Sequence, residues 1–407
     1  MALIDFTDWM DEFSREGVLW YVKRLSGNDT LANGTHQAGP YVPKELLFRL
    51  FPAMDRPSEK NPDVRFDLYL DSHADHRKVR AVWYNNKLHG GTRNEARLTG
   101  FGGQSSGLLD ADSTGALTIF AFVTRDDGST AECHVWVCRT EFEAELAEER
   151  LGPVEPGKLL VWLPSHGLAP NLFAKATPTR KTCHLAPHEI PRDWIIKFPT
   201  GADIIRKTVE LRPDTGLDPD ERLIRRRICE FEIFLSVEEA VELPTIRKGF
   251  DSIEEFVSRA QSILQRRKAR SGRSLELHAR EIFLEEGLTE GVDFAHGVEA
   301  EAGRRPDFLF PSRDRYLDAA WPDTRLRMLA VKTTCRDRWR QILNEADRIT
   351  VKHLLTLQEG VSVGQFREMK ESGVQLVIPV GNRDSFPKEI RPELVTLESF
   401  IGDIRLL

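Results

Sequence analysis

The stretch "MLAVKTTCRDRWRQILNEAD", residues 328 to 347, decides how the second half of the chain is read. It opens as an apolar, β-branched run that carries one lysine, Lys332. Alternating charges follow at Arg336, Asp337 and Arg338, and then a helical pattern that carries Glu345. An ammonium set in a buried strand is costly unless a neighbouring group needs its charge. Upstream, "RRPDFLF" places Asp307 at the head of another short apolar strand, directly after Pro306 and 25 positions before the lysine. Adjacent strands of this kind bring carboxylate and ammonium together, which offsets the cost of burying either alone. With a divalent metal, such a pair suffices to hydrolyse a phosphodiester. The carboxylate holds the metal, and metal and lysine together activate water and balance the developing charge.

A single carboxylate makes a poor metal site, so a second acid is needed. In "DRWRQILNEADRI" the residues Trp339, Ile342, Leu343, Ala346 and Ile349 form an apolar stripe at helical spacing, while Arg338, Gln341 and Glu345 share the other face. This predicts a helix that packs by its stripe and turns Glu345 toward the strands across a cleft.

The rest of the chain supplies the frame. At 407 residues it is long enough for two domains, each with its own core. Between Gly17 and about Ser165, "GVLWYVKRL", "DVRFDLYL", "HRKVRAVWYNNKL", "GALTIFAFVTR", "AECHVWVCR" and "KLLVWLP" alternate as short strands between turn residues. Little helix interrupts them, which predicts a closed or nearly closed barrel. A passage containing Pro164, Pro170, Pro178, Pro187 and Pro191 reads as an extended linker. Beyond it, "LDPDERLIRRRICEFEIFLSVEE" starts with Asp218 as cap, Pro219 at the first helical position and Glu221 at the third. "DSIEEFVSRAQSILQRR" and "SLELHAREIFLEEG" read as two further helices, and "RPDFLFP", "RMLAVKTT" and "VQLVIPV" as strands. Alternating strands and helices predict an α/β domain on a mixed sheet. The expected organisation is residues 1–170 as the β-rich domain, 171–195 as linker and 196–407 as the α/β domain.

Composition sets limits. The net charge of -7 gives no general support to nucleic-acid binding, but only the face that meets phosphate must be basic. Five scattered cysteines argue against a disulfide framework. Cys133 and Cys138 of "CHVWVC", with Cys183 and His184, raise the question of zinc. The odd separation along a strand sends the two thiols to opposite faces, so reduced, buried cysteines are expected and zinc is rejected. No apolar run is long enough to span a bilayer, and "MALIDFTDWMDEF" lacks the basic region of a signal peptide, so a cytoplasmic protein without a membrane partner is expected.

The placement of Asp307 and Lys332 resembles the PD-(D/E)XK nuclease motif, with Ala330 standing where the acid two positions before the lysine is usual. Lys332, the triplet Arg336-Asp337-Arg338, and Glu345 thirteen positions after the lysine are similar to the variant pattern of the EcoRII restriction endonuclease group, in which the second metal-binding glutamate has moved from strand to helix. The resemblance runs nearly end to end, through "KRLSGNDT", "TRNEAR", "IRKGF", "RSLELH" and "PDFLFPS".

The resemblance implies a fold: an N-terminal DNA-binding pseudobarrel and a C-terminal α/β restriction-endonuclease-like domain. It implies that Asp307 and Glu345 hold Mg²⁺ and that Lys332 orients the attacking water. Glu276, a solvated helix residue on its own reading, would lie near the metals, and Tyr316 near the active site. Arg336, Asp337 and Arg338 would read the C·G pairs, since arginine donates a fork to guanine and aspartate accepts from cytosine N4. Without the resemblance they read as a helix start capped by Asp337. Arg227 and Phe231, four apart on a helix face and otherwise ordinary core, would sandwich an extruded base. The run "QRRKARSGR" is either a solvated face or, with Arg270 and Arg273, a phosphate contact. In the first domain, Lys23, His36, Tyr41, Arg93, Glu95 and Arg97 would touch effector DNA, though on residues alone they are loop positions. The implied protein is a homodimeric, Mg²⁺-dependent type IIE restriction endonuclease that cuts double-stranded DNA at 5′-CCWGG before the first cytosine and binds further copies of the site. The alternatives are a nuclease of the same superfamily with another target, such as CCNGG or methylated DNA, and a DNA-binding protein that has lost catalysis.

Overall fold

The computed structural model describes residues 6–34, 39–163, 167–168, 182–301 and 303–407. The chain forms two compact units, 1–176 with 358–368 and 382–392, and 177–357 with 369–381 and 393–407. No helix among the described residues is long and apolar enough to cross a membrane.

The first unit is built on strands β1 (Val18–Arg24), β2 (Asp63–Leu70), β3 (Asp75–Tyr84), β4 (Glu95–Thr99), β5 (Leu117–Thr124), β6 (Thr130–Val137), β7 (Leu159–Leu163) and β8 (Gly167–Leu168). They form one curled sheet in the order β4-β3-β2-β6-β5-β1-β7-β8. All neighbours are antiparallel except β2 and β6. Every residue of β1 is buried, because both faces of the sheet are covered. Val18, Trp20 and Val22 point into a cluster with Trp9, Phe13 and Trp136, roofed by helices α1 (Phe6–Phe13) and α3 (Glu141–Leu151). Leu19 and Tyr21 point the other way, toward Phe66, Phe120, Phe122 and helix α2 (Lys44–Leu50). The two-residue period thus feeds two cores from one strand. Cys133 and Cys138 fall into the opposite clusters that their odd spacing requires. The six strands expected from the sequence are present, and β4, which holds half of "TRNEAR", is a strand where loop is expected.

The second unit begins with short α4 (Arg192–Ile196), then α5 (Gly201–Leu211), α6 (Pro219–Lys248) and α7 (Ile253–Glu285). Thr200 and Asp203 close a capping box on α5. Asp218 caps α6 by accepting from the Glu221 amide, with Pro219 in the first turn. The two helices expected after residue 250 are one. Gly272 lies exposed inside α7, and a helix-interior glycine costs only about 1 kcal/mol relative to alanine, too little to break a packed helix. Strands β9 (Ala295–His296), β10 (Phe308–Phe310), β11 (Arg327–Val331), β12 (Lys352–Leu355) and β13 (Val374–Val377) follow, with α8 (Arg313–Leu317) and α10 (Leu397–Ile404), whereas α9 (Val363–Glu371) begins in the 358–368 segment that belongs to the first unit. The sheet order is β13-β12-β11-β10-β9, parallel from β11 to β13 and antiparallel across β10. Phe283 on α7 sits among Phe294, Phe308 and Phe310, and α10 adds Leu397, Phe400 and Ile401 to the same face.

One expectation is corrected outright. Cys183 and Cys229 are joined in a disulfide, with their Cα atoms 5.0 Å apart, tying the later part of the proline-rich passage to α6. The odd cysteine count concealed a single pair. Cys133, Cys138 and Cys335 are buried thiols.

Candidate active site

The register of two antiparallel strands builds the centre. Phe308 of β10 faces Leu329 of β11, so Asp307, one step before β10, lies opposite the end of β11. Asp307 Oδ2 accepts from the Val331 amide at 2.7 Å and from Lys332 Nζ at 3.4 Å. Lys332 is not inside the strand, as the apolar run suggested. β11 ends at Val331, the Lys332 amide continues onto the Leu355 carbonyl of β12 at 3.0 Å, and the side chain is 24% exposed. The lysine therefore stands just past the carboxyl end of the central strand, with its charge turned to Asp307. Burial pushes the Asp307 carboxyl up, against the pull of Lys332.

Glu345 does not lie on an α-helix. Arg338–Ile342 makes a short 3-10 segment, and the chain then leaves helical geometry through Ala346, whose φ is +51°. The apolar stripe is real in that Trp339, Ile342, Ala346 and Ile349 are buried. Those contacts are satisfied by a series of turns. Burial raises the Glu345 carboxyl to about 7, although Lys332 pulls it down. Its Oε2 atom is buried and has no hydrogen-bond partner among the described residues.

Glu276, on α7, pairs with His296 at 2.5 Å and its charge also disfavours the Asp307 carboxylate. Tyr316, buried at the end of α8, donates to Glu301. Asp337 is exposed, makes no side-chain cap bond and accepts from Arg340 at 3.2 Å, while Arg336 and Arg338 are half-buried on either side.

No group of three His, Cys, Asp or Glu among the described residues converges as a ready metal site. The donors nevertheless suit a hard divalent cation. Asp307 and Glu345 supply oxygens, both carboxyls are raised by burial, and Glu345 keeps an orphaned buried oxygen that a cation would satisfy.

On α6, Arg227 is buried against α7, where its charge is felt by the fully buried His278. Phe231 lies under the Arg270 guanidinium at 4.7 Å. Arg270 itself is not on an open face. It forms one rung of a ladder between α6 and α7: Glu230 with Arg270 at 2.8 Å, Glu238 with Arg267 at 2.5 Å, and Glu242 with Arg266 at 2.8 Å and Arg259 at 2.5 Å. The run that reads as acid-free in sequence meets its acids from the neighbouring helix. Arg273 alone of the two arginines singled out there is exposed.

In the first unit, five of the six effector-site candidates are brought together, and His36 lies outside the described residues. Lys23 pairs with buried Asp29 at 2.7 Å and lies 5.9 Å from the Tyr41 ring. The Tyr41 amide donates to Asp29 at 2.9 Å, and Tyr41 bridges to Arg97. Glu95 accepts from Arg93 at 2.5 Å and Arg97 at 3.1 Å. Although burial opposes it, Lys23 and the surrounding donors hold the Asp29 carboxyl below its usual range. Asp29 was missed as a site residue, yet it stands in "KRLSGNDT" six positions after the lysine it anchors.

Two family models match this chain: EcoRII C terminal over residues 234–401, and restriction endonuclease EcoRII, N-terminal, over residues 14–166. The type II restriction enzyme EcoRII of Escherichia coli is 43% identical over 406 residues, covering 99% of this chain and 98% of the relative. Among solved structures, metal-depleted Ecl18kI in complex with uncleaved, modified DNA is 19% identical, with a TM-score of 0.43 over 55% of this chain and 85% of that one. The UbaLAI restriction endonuclease B3 domain with cognate DNA is 22% identical, with a TM-score of 0.27 over 40% of this chain and 98% of that one. This is a site-specific deoxyribonuclease in two domains. The chain belongs to the EcoRII family of type II restriction enzymes.

Proposed function

We propose that this enzyme is a homodimeric, Mg²⁺-dependent type IIE restriction endonuclease that cleaves 5′-CCWGG before the first cytosine on both strands. The observation that carries the catalytic reading is Asp307 held between the Val331 amide and Lys332 at the ends of two paired strands, with Glu345 in electrostatic reach. Asp307 and Glu345 would hold the ion, which when bound supplies positive charge to a water and to the phosphate. Lys332, whose ammonium already leans on Asp307, orients the water and balances charge on the phosphoryl oxygens. Glu276 keeps further negative charge near Asp307, and Tyr316 on α8 reaches the turn that bears Glu345 through Glu301.

On the same reading, Arg336, Asp337 and Arg338 recognise the C·G pairs, and Arg227 with Phe231 receives an extruded base. Arg227 is buried and Phe231 half-buried under Arg270, so on this reading α6 and α7 adjust when DNA binds. Arg273 remains available for phosphate. The domain of residues 1–170 is a pseudobarrel that binds further copies of the site through Lys23, Tyr41, Arg93, Glu95 and Arg97, and it keeps the catalytic domain of residues 196–407 inactive until it does so. Two catalytic domains related by a two-fold axis match a near-palindromic site.

A Mg²⁺-dependent digest of unmethylated multi-site plasmid, with the ends sequenced and Asp307→Ala alongside, tests this. Ends before CCWGG that vanish in the variant support it. Cutting elsewhere refutes the specificity, and an equally active Asp307→Ala refutes the site. Equal rates on one-site and multi-site plasmids refute the effector role.

A further inference from the structure

Glu345 hangs from an irregular turn, so something other than helix geometry must hold it. Ala346, the next residue, is fully buried in the left-handed region at φ +51°, a conformation unfavourable for a residue with a Cβ. The turn is tied down by polar contacts of three side chains, Lys352, Glu301 and Arg348. Lys352, the first residue of β12 and only 5% exposed, donates from Nζ to the Ala346 carbonyl at 2.7 Å. Glu301 Oε1 accepts from the Asp347 amide at 3.0 Å and from the Tyr316 hydroxyl. Arg348 donates to the carbonyls of Asp318 at 3.0 Å and Trp321 at 2.7 Å.

Lys352 is the unusual member. It is a buried ammonium, yet among the described residues it forms no ion pair within 4.0 Å, and it donates to a backbone carbonyl of this turn. A neutral side chain would fill a β-strand position at far lower desolvation cost. The charge is placed among three acids, Asp347 and Glu345 of the turn and Glu301 that holds it.

We infer that Lys352, assisted by Glu301, is a positioning residue that fixes the turn bearing Glu345 and so sets the affinity of the site for its divalent cation. The inference rests on the reading of Glu345 as a ligand. Groups that orient a metal ligand from behind typically alter metal affinity 10–100-fold.

The test uses the full-length chain. Mn²⁺ binding is followed by electron paramagnetic resonance without turnover, and the Mg²⁺ concentration for half-maximal cutting is measured in parallel. Lys352→Met keeps the buried length without the charge, Glu301→Ala removes the second hold, Glu301→Gln keeps its acceptor, and Glu345→Ala is the reference. The expected result is a weakening of both constants by about 10-fold or more in Lys352→Met and Glu301→Ala. Glu301→Gln should stay near the parent, and the rate at saturating metal should fall less than the affinity. Should Lys352→Met fail to fold, the Glu301 pair decides by the same criterion. Parent-like Mn²⁺ affinity in Lys352→Met and Glu301→Ala, with loss in Glu345→Ala, overturns the positioning role and leaves the ligand reading intact. Unchanged affinity in Glu345→Ala removes the ligand reading and the inference together.

Discussion

Replacing Arg270 by methionine separates a structural strut from a DNA contact. The Arg270 and Glu230 side chains are 7% and 3% exposed, and they meet at 2.8 Å between α6 and α7. Removing one partner of a buried pair leaves an uncompensated charge and costs about 3–5 kcal/mol. Two features reduce that figure here. Ser274 Oγ still donates to Glu230 at 2.9 Å, and methionine retains part of the packing on Phe231 and Phe234. A charge-assisted bond contributes about 1.5–3 kcal/mol, so a net loss of roughly 2–3 kcal/mol is expected. Urea denaturation followed by circular dichroism measures it. In the double variant Arg270→Met with Glu230→Leu, most of the loss should return, because an apolar pair of similar volume often replaces a buried ion pair without penalty. DNA affinity measured against salt should keep its parent slope in folded Arg270→Met. A loss below about 1 kcal/mol, together with a salt slope lowered by about one unit, would show that Arg270 serves phosphate instead and would refute the strut.

Other outcomes are equally accessible. Burial, aided by repulsion from Arg327, lowers the His353 imidazole to about 4 from 6.5, so the native state takes up its proton later than the unfolded chain. Stability from this group is therefore intact above pH 6.5 and falls by up to about 3 kcal/mol as pH drops toward 4; His353→Leu should flatten that part of the denaturant midpoint against pH. Cys229→Ser opens a loop of 46 residues, which in the chain-entropy model costs about 4 kcal/mol, read as a lowered midpoint that reductant reproduces in the parent but not in the variant. Asp220, 2% exposed, accepts from the amides of Val380, Leu397 and Glu398, and Asp220→Ala should lower stability by about 3 kcal/mol, with α10 the first element to lose hydrogen-exchange protection.

Much of the architecture was legible because period and punctuation are local. The alternation in "GVLWYVKRL" names β1, and Asp218-Pro219 with Glu221 names the start of α6, from contacts made within a few residues. Asp307 and Lys332 were legible for a related reason: each stands beside an apolar run, and only a partner resolves the charge. What failed depended on distance. Helical spacing at Trp339, Ile342 and Ala346 was correct about burial and wrong about conformation, because Lys352 at the start of the next strand and Glu301 from far along the chain hold the turn in another geometry. The acid-free run from Arg266 to Arg273 looked exposed because Glu230, Glu238 and Glu242 lie on another helix. The Cys183–Cys229 bond carries no local mark at all.

The turn that carries Glu345 also bears on how such a site can change over evolutionary time. An acid set into β11 two positions before the lysine is locked to the sheet register, and inserting or deleting one residue would turn every side chain of that strand to the wrong face. Glu345 hangs outside that register, between a 3-10 segment and β12. Insertions between Ile342 and Glu345 would be absorbed by backbone that obeys no period, with the sheet left undisturbed. On the proposed ligand reading, the carboxylate is therefore free to drift in sequence distance from Lys332 while keeping its place in space, and a search keyed to fixed spacing will overlook such arrangements.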